Sequence, residues 1–136
     1  MIINQTNNNK KNLKISKLSH TWFIDLDGTI FKHNKYKEND FDIIVNSNVQ
    51  KFFDQISEND TLIFTTSRSS SLSKLCETSL KEIVKIKQKF TIIYGLPHGE
   101  RIIINDSKPS GMITSLAINI DRDNFPEFIL DEDQSI

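Results

Sequence analysis

Cysteine, long apolar runs and an excess charge of either sign are all scarce in this sequence. Cys76 is the single cysteine, so no disulfide can form within the chain, and we expect a reducing compartment such as the cytoplasm. No apolar run approaches the ~20 residues that cross a bilayer, and we expect neither a membrane-spanning helix nor a signal peptide. A chain of 136 residues has room for one domain with a proper core and little more.

The net charge is −1, and such a balance gives no overall attraction to nucleic acid or to anionic membranes. The charge is nevertheless uneven, because residues 1–19 contain four lysines and no acid, whereas residues 121–136 contain six acids and one arginine. We predict a disordered basic arm at 1–19, a catalytic domain at 20–124 and an acidic tail at 125–136. The arm lacks interleaved aromatic residues, so nucleic acid is a weak candidate as a partner.

Short apolar runs alternate with helical stripes along the central part of the chain. The apolar runs predict five strands, at 20–26, 61–65, 90–94, 101–104 and 115–120. The helical stripes predict two helices, at 47–56 and 70–89. This alternation is typical of an α/β domain with a mostly parallel sheet. Ligands of such sheets bind at the carboxyl ends of the strands.

The first predicted strand ends in two carboxylates, Asp25 and Asp27, followed by Gly28 and Thr29. Side chains two positions apart share one face of a strand, and a glycine lets the chain leave the strand at once. Two like charges so close repel each other unless a cation lies between them or one of them is protonated. The pattern favours magnesium-assisted phosphoryl transfer, in which one carboxylate attacks phosphorus and the other transfers a proton. An acidic turn without a chemical role is the alternative.

Two further polar clusters follow predicted strands. Thr66, Ser67 and Arg68 come after the second strand, and Asn105 and Asp106 come after the fourth. Because the carboxyl ends of parallel strands meet at one edge, we expect all three clusters to converge on one site. The hydroxyls and nearby amides at a helix start would bind phosphoryl oxygens. For the arginine, contact with substrate and a surface salt bridge are equally open.

The Asp25-Leu26-Asp27-Gly28-Thr29 stretch resembles motif I of the haloacid dehalogenase-like (HAD) phosphohydrolases. The resemblance implies a Rossmann-like three-layer sandwich with five strands, in which Thr66 corresponds to motif II and Asp106, next to Asn105, to motif IV. It further implies that Asp25 forms an aspartyl-phosphate, that Asp27 acts as acid and base, and that Mg²⁺ is bound by Asp25, Asp106 and the main-chain carbonyl of Asp27.

The family pattern also has a motif III cation and often a further acid after motif IV. Arg101, which enters the fourth predicted strand, is the first candidate for the cation, and Lys108 is the second. Ser110 and Gly111 occupy the positions of the further acid. Metal affinity is the property that this departure from the family pattern affects.

The short spacing between the motifs resembles that of HAD members without a cap domain. An open site suits a bulky substrate, or a small phosphate enclosed by a partner subunit or by a second copy of the chain. Residues 97–111 resemble small bacterial HAD domains associated with surface-carbohydrate synthesis, which makes a sugar phosphate the leading substrate. Two alternatives remain: a non-catalytic or regulatory phosphate-binding module, and a nucleic-acid end phosphatase that uses the lysine-rich arm.

Overall fold

The computed structural model describes residues 9–132. This part of the chain contains five strands and three helices, in the order β1 Lys10–Ile15, β2 Thr21–Asp25, α1 Tyr36–Asn39, α2 Asn48–Gln55, β3 Thr61–Thr65, α3 Ser73–Thr78, β4 Phe90–Ile93 and β5 Glu127–Glu132. A 3₁₀ turn at Ser70–Leu72 precedes α3, and a π-helical turn at Ser79–Ile83 follows it. The protein is an α/β protein whose strands pair in parallel.

Three strands form the sheet that carries the predicted site, in the order β2-β3-β4. Asp25 is in register with Thr65, and Thr65 is in register with Ile93, so the carboxyl ends of all three strands lie at one edge. Because these strands are short apolar runs bounded by polar residues, their positions could be read from the sequence. The prediction for β3 is confirmed to the residue, and those for β2 and β4 are confirmed to within one residue at each end.

The two faces of this sheet are covered unequally. Leu62 and Phe64 are fully buried on one face, where the ring of Phe53 from α2 lies 6.1 Å from that of Phe64. On the other face Phe23 is 53% exposed and Ile93 is 41% exposed. These two side chains are thus largely open to solvent, and the described residues form open parallel sheets of two and three strands.

β1 and β5 form a separate two-stranded parallel ribbon. Lys10 pairs with Glu127, and Leu13 and Phe128 are buried at 8% and 7% exposure. The prediction of a disordered arm at 1–19 is therefore wrong for residues 10–15, and residues 127–132 of the predicted acidic tail form a strand. The two segments stabilise each other across the whole chain, an interaction that no local pattern indicates. The rest of the predicted arm before residue 9, and of the tail after residue 132, lies outside the described residues.

The predicted strands at 101–104 and 115–120 are not strands in the structure. Ile102 and Ile104 are 81% and 94% exposed, and Leu116 is 62% exposed. Since a strand is stable only when a neighbouring strand satisfies its backbone hydrogen bonds, the apolar pattern alone was insufficient here. The predicted single sheet of five strands is thus replaced by two sheets, and two other segments, residues 10–15 and 127–132, supply β1 and β5.

One hydrophobic core joins the ribbon to the sheet. Phe52 of α2 lies at its centre, with ring centroids 5.1–5.5 Å from four other aromatic side chains, those of Trp22, Phe53, Phe125 and Phe128. Among the described residues no helix has the length and apolar character that crossing a membrane requires.

Truncation of Phe52 tests this packing. We expect Phe52→Ala to lower the free energy of unfolding by about 3–5 kcal/mol, because it removes a buried ring and leaves a cavity. Urea denaturation followed by tryptophan fluorescence measures the change. Phe41→Ala, at a phenylalanine that is 53% exposed, is the matched control. Equal losses in the two variants would contradict a core centred on Phe52.

Candidate functional site at the carboxyl edge of the sheet

The chain leaves β2 through a tight turn that places two carboxylates at the edge of the sheet. Asp25 is the last residue of β2, and the amide of Leu26 still donates to the carbonyl of Thr65 at 3.2 Å. Gly28 follows with a φ of +84°, a conformation that residues with a β-carbon rarely adopt. Its amide donates to the carbonyl of Phe31 at 2.7 Å, which closes the turn.

Asp25 lies half-buried and interacts with a neutral partner. The hydroxyl of Thr29 donates to its Oδ2 at 3.3 Å. Burial raises the pKa of Asp25 above its ordinary value of 3.8, and the charge of Asp27 adds to this rise, while the Thr29 hydrogen bond and the charge of Arg101 oppose it. Among the described residues the carboxylate of Asp25 has no ion-pair partner in direct contact, so a cation can bind to it.

Asp27 lies in a different environment, because an arginine binds both of its oxygens. Arg68 Nη2 donates to Oδ1 at 2.7 Å, and Nε donates to Oδ2 at 2.9 Å. The arginine side chain is only 1% exposed, and that of Asp27 is 17% exposed. Of the two roles left open for Arg68, the structure has the salt bridge, and it is internal rather than at the surface.

The same guanidinium binds a second carboxylate, Asp42, which is fully buried. Nη2 donates to Oδ1 at 2.7 Å, Nη1 donates to Oδ2 at 3.2 Å, and the hydroxyl of Ser79 donates to Oδ2 at 2.6 Å. Burial alone would lower the pKa of Arg68, but the hydrogen bonds that it donates to Asp27 and Asp42 raise the pKa overall, so the guanidinium stays charged. No sequence pattern pointed to Asp42, which is one of several acids in a polar loop.

Thr66 and Ser67 lie beside this network at the end of β3. Thr66 is 1% exposed, and its hydroxyl accepts a hydrogen bond from the amide of Arg68 at 3.0 Å. Ser67 is exposed, with its hydroxyl 3.4 Å from Nδ1 of His98. The structure thus places the predicted Thr66, Ser67 and Arg68 cluster at the same edge as Asp25. The threonine hydroxyl stabilises the turn that directs the arginine toward Asp27.

The third predicted cluster, after the fourth predicted strand, has a different outcome. Asn105, Asp106 and Lys108 are exposed and lie outside any helix or strand. The main-chain carbonyl of Asp106 accepts from the Thr114 hydroxyl. Residues 9–132 contain no group of three His, Cys, Asp or Glu side chains that could hold a metal ion, so Asp106 is not brought together with Asp25 and Asp27. The reason is that the strand predicted to carry Asp106 to the edge does not form.

Arg101, the first candidate for the phosphate-neutralising cation, is exposed but acts electrostatically on the site. Its Nη1 donates to the carbonyls of Pro97 at 2.7 Å and Gly99 at 3.0 Å, which fixes the guanidinium on its own loop. Its charge lowers the pKa of Asp25. Lys108 instead forms a turn, in which its amide donates to the carbonyl of Met112 at 2.9 Å.

The donors at this edge fit magnesium only in part. Mg²⁺ is often bound through one or two carboxylates, with phosphate and water oxygens completing the octahedron. Asp25 suits this role, because its nearest polar partner is a hydroxyl and its pKa is already raised by burial and a neighbouring charge. Asp27 is less suited, since each of its oxygens already accepts from Arg68.

Comparison of the chain with protein-family models, curated proteins and solved structures finds no match. The resemblance to the HAD family therefore depends on the motif residues and on their positions at the sheet edge.

The raised pKa of Asp25 predicts a pH-dependent effect of its substitution. A carboxyl whose pKa is raised on folding contributes stability below pH 3.8, and this contribution is lost as the pH rises through the folded value. We therefore expect Asp25→Asn to be more stable than the wild type at pH 7, with the difference shrinking as the pH falls toward 3.8. Urea denaturation at several pH values measures it. Asp40→Asn, at an exposed position, is the control; a lower stability of Asp25→Asn at pH 7 would contradict the assignment.

Proposed function

We propose that the protein is a HAD-like phosphohydrolase that hydrolyses phosphate monoesters through an aspartyl-phosphate on Asp25. The observation that carries this proposal is the contrast between two carboxylates at one sheet edge. Asp25 interacts with a hydroxyl and is free to attack, whereas Asp27 is held in place by Arg68. Pairs of carboxylates in unlike environments are typical of sites in which each group has its own role.

The chemistry follows from these roles. An Asp25 oxygen attacks phosphorus, the bond from phosphorus to the ester oxygen breaks, and the departing oxygen takes a proton from the Asp27 carboxyl. Water then attacks the phosphorus of the aspartyl-phosphate and gives its proton to the Asp27 carboxylate. The bond between phosphorus and Asp25 breaks, which releases inorganic phosphate and restores both side chains.

Groups around the edge would bind the transferred phosphoryl group. Ser67 is exposed beside the end of β3, and the charge of Arg101 reaches Asp25, so both can contribute to neutralising the phosphoryl oxygens. Mg²⁺ bound by Asp25 would offset the repulsion between carboxylate and phosphate. Asn105, Asp106 and Lys108 would join the site only if residues 101–120 adopted another arrangement.

The openness of the sheet edge limits which substrates the site suits. The loop between β2 and α2 contains only the four-residue helix α1, so no cap covers the site within the described residues. We infer that the substrate is a small phosphate ester, with a sugar phosphate as the leading candidate, or a group presented by a partner subunit. A cytoplasmic location is part of the same proposal, since the buried thiol of Cys76 has no cysteine partner.

A phosphatase assay with an aryl phosphate and Mg²⁺ tests the proposal. We expect phosphate release by the wild type and its loss, by a factor of about 10³ or more, in Asp25→Asn, because the amide cannot form the acyl phosphate. Asp40→Asn, the same substitution at an exposed position, should keep wild-type activity. Full activity of folded Asp25→Asn would show that Asp25 is not the nucleophile and would contradict the proposal.

A phosphate-binding module without turnover is the second candidate. It is favoured by the exposure of Asp106 and by the lack of a three-carboxylate group within residues 9–132. Calorimetric titration with Mg²⁺ and a phosphate mimic, run beside the turnover assay, separates the two. Binding without turnover in the wild type would favour the module.

A further inference from the structure

Arg68 connects parts of the chain that are far apart in sequence. Its guanidinium binds Asp27 after β2 and Asp42 before α2, and Nη1 also lies 3.4 Å from the Cys76 sulfur of α3. The ring of Tyr36 lies over it, with the centroid 3.9 Å from Cζ. All five N–H groups of an arginine project from one rigid plane, so a guanidinium held on several sides has a fixed orientation.

We propose that Arg68 is a positioning residue that holds the Asp27 carboxylate in the orientation required for proton transfer, with Asp42 as the anchor that holds Arg68. This inference rests on the proposed phosphohydrolase function. Each Asp27 oxygen accepts one N–H in a two-point contact, which prevents rotation of the carboxylate. Each oxygen retains a second lone pair that can give or take a proton.

The anchor explains why an arginine is needed. Asp42 is 0% exposed, and its Oδ2 also accepts from the Ser79 hydroxyl, so its position is fixed by buried contacts. A lysine at position 68 would keep the positive charge, but its single nitrogen cannot make two-point contacts with two carboxylates at once. The charge near Asp27 would then remain, while the orientation of Asp27 would be lost.

Loss of orientation has a specific kinetic signature. Proton donation matters for an ester oxygen that leaves poorly and little for one that leaves well, such as a dinitrophenolate. Water activation by Asp27 is needed for either substrate, since both form the same aspartyl-phosphate. A variant with a misplaced Asp27 should therefore form the phosphoenzyme from a good leaving group, hydrolyse it slowly, and react poorly with an alkyl phosphate.

Arg68→Lys and Asp42→Asn test the proposal, with rapid-quench measurement of the phosphoenzyme from 2,4-dinitrophenyl phosphate and steady-state rates for an alkyl phosphate. For Arg68→Lys we expect the rate of phosphoenzyme formation from the dinitrophenyl ester to stay within about threefold of wild type. In the same variant, alkyl phosphate turnover and phosphoenzyme hydrolysis should each fall by about 10²-fold or more. Asp42→Asn should change the same steps by a smaller factor. Asp40→Asn, the same acid-to-amide change at an exposed position, is the matched control and should leave all three rates unchanged.

The outcomes separate the two proposals. If the wild type neither forms a phosphoenzyme nor releases phosphate from either ester, the proposed function is wrong, and so is the proposed role of Arg68. If the wild type forms one and folded Arg68→Lys loses both reactions equally, or loses neither, Arg68 has a structural role and the positioning proposal is wrong. Should Arg68→Lys fail to fold, Asp42→Asn decides by the same criterion: selective loss supports positioning, and equal or no loss overturns it.

Discussion

The fold around the polar edge depends on one buried cation shared by two carboxylates. Asp27, Asp42 and Arg68 come from three separate segments, and the arginine and Asp42 have almost no contact with solvent. Removing such charges from water is costly unless each one has close partners. The loop before α2 must therefore close over the end of β2 for Asp42 to be buried at all, and the requirement of neutralisation couples that loop to the turn after β3.

Apolar packing around α2 and the arginine network stabilise different parts of the structure. Phe52 contacts Trp22 of β2 on one side and Phe128 of β5 on another, so α2 links the three-stranded sheet to the ribbon. The arginine network instead fixes the segments that lead into and out of the sheet edge. The apolar core can thus stabilise the strands while the sheet edge retains the half-buried carboxylate of Asp25, which adds nothing to the stability of the fold at neutral pH.

Local patterns sufficed for part of the structure and of the candidate site. β2, β3 and β4 are apolar runs that end in polar residues, and Asp25, Asp27 and Thr66 could be placed at one edge because parallel strands end together. The pairing of β1 with β5 could not be predicted, because it depends on contacts between distant segments. The same limitation explains why residues 101–104, which have a strand-like composition, remain unpaired, and why the burial of Asp42 beside Arg68 was not foreseen.

The pairing of Lys10 with Glu127 has a consequence for the order of folding. During synthesis on a ribosome, β2, β3 and β4 emerge early and can pair, whereas β1 has no partner until residue 132 has left the exit tunnel. Closing so long a loop also slows the last step of assembly. Until then Leu13 and one side of Phe52 remain uncovered, so the nascent chain exposes apolar side chains that the folded protein buries.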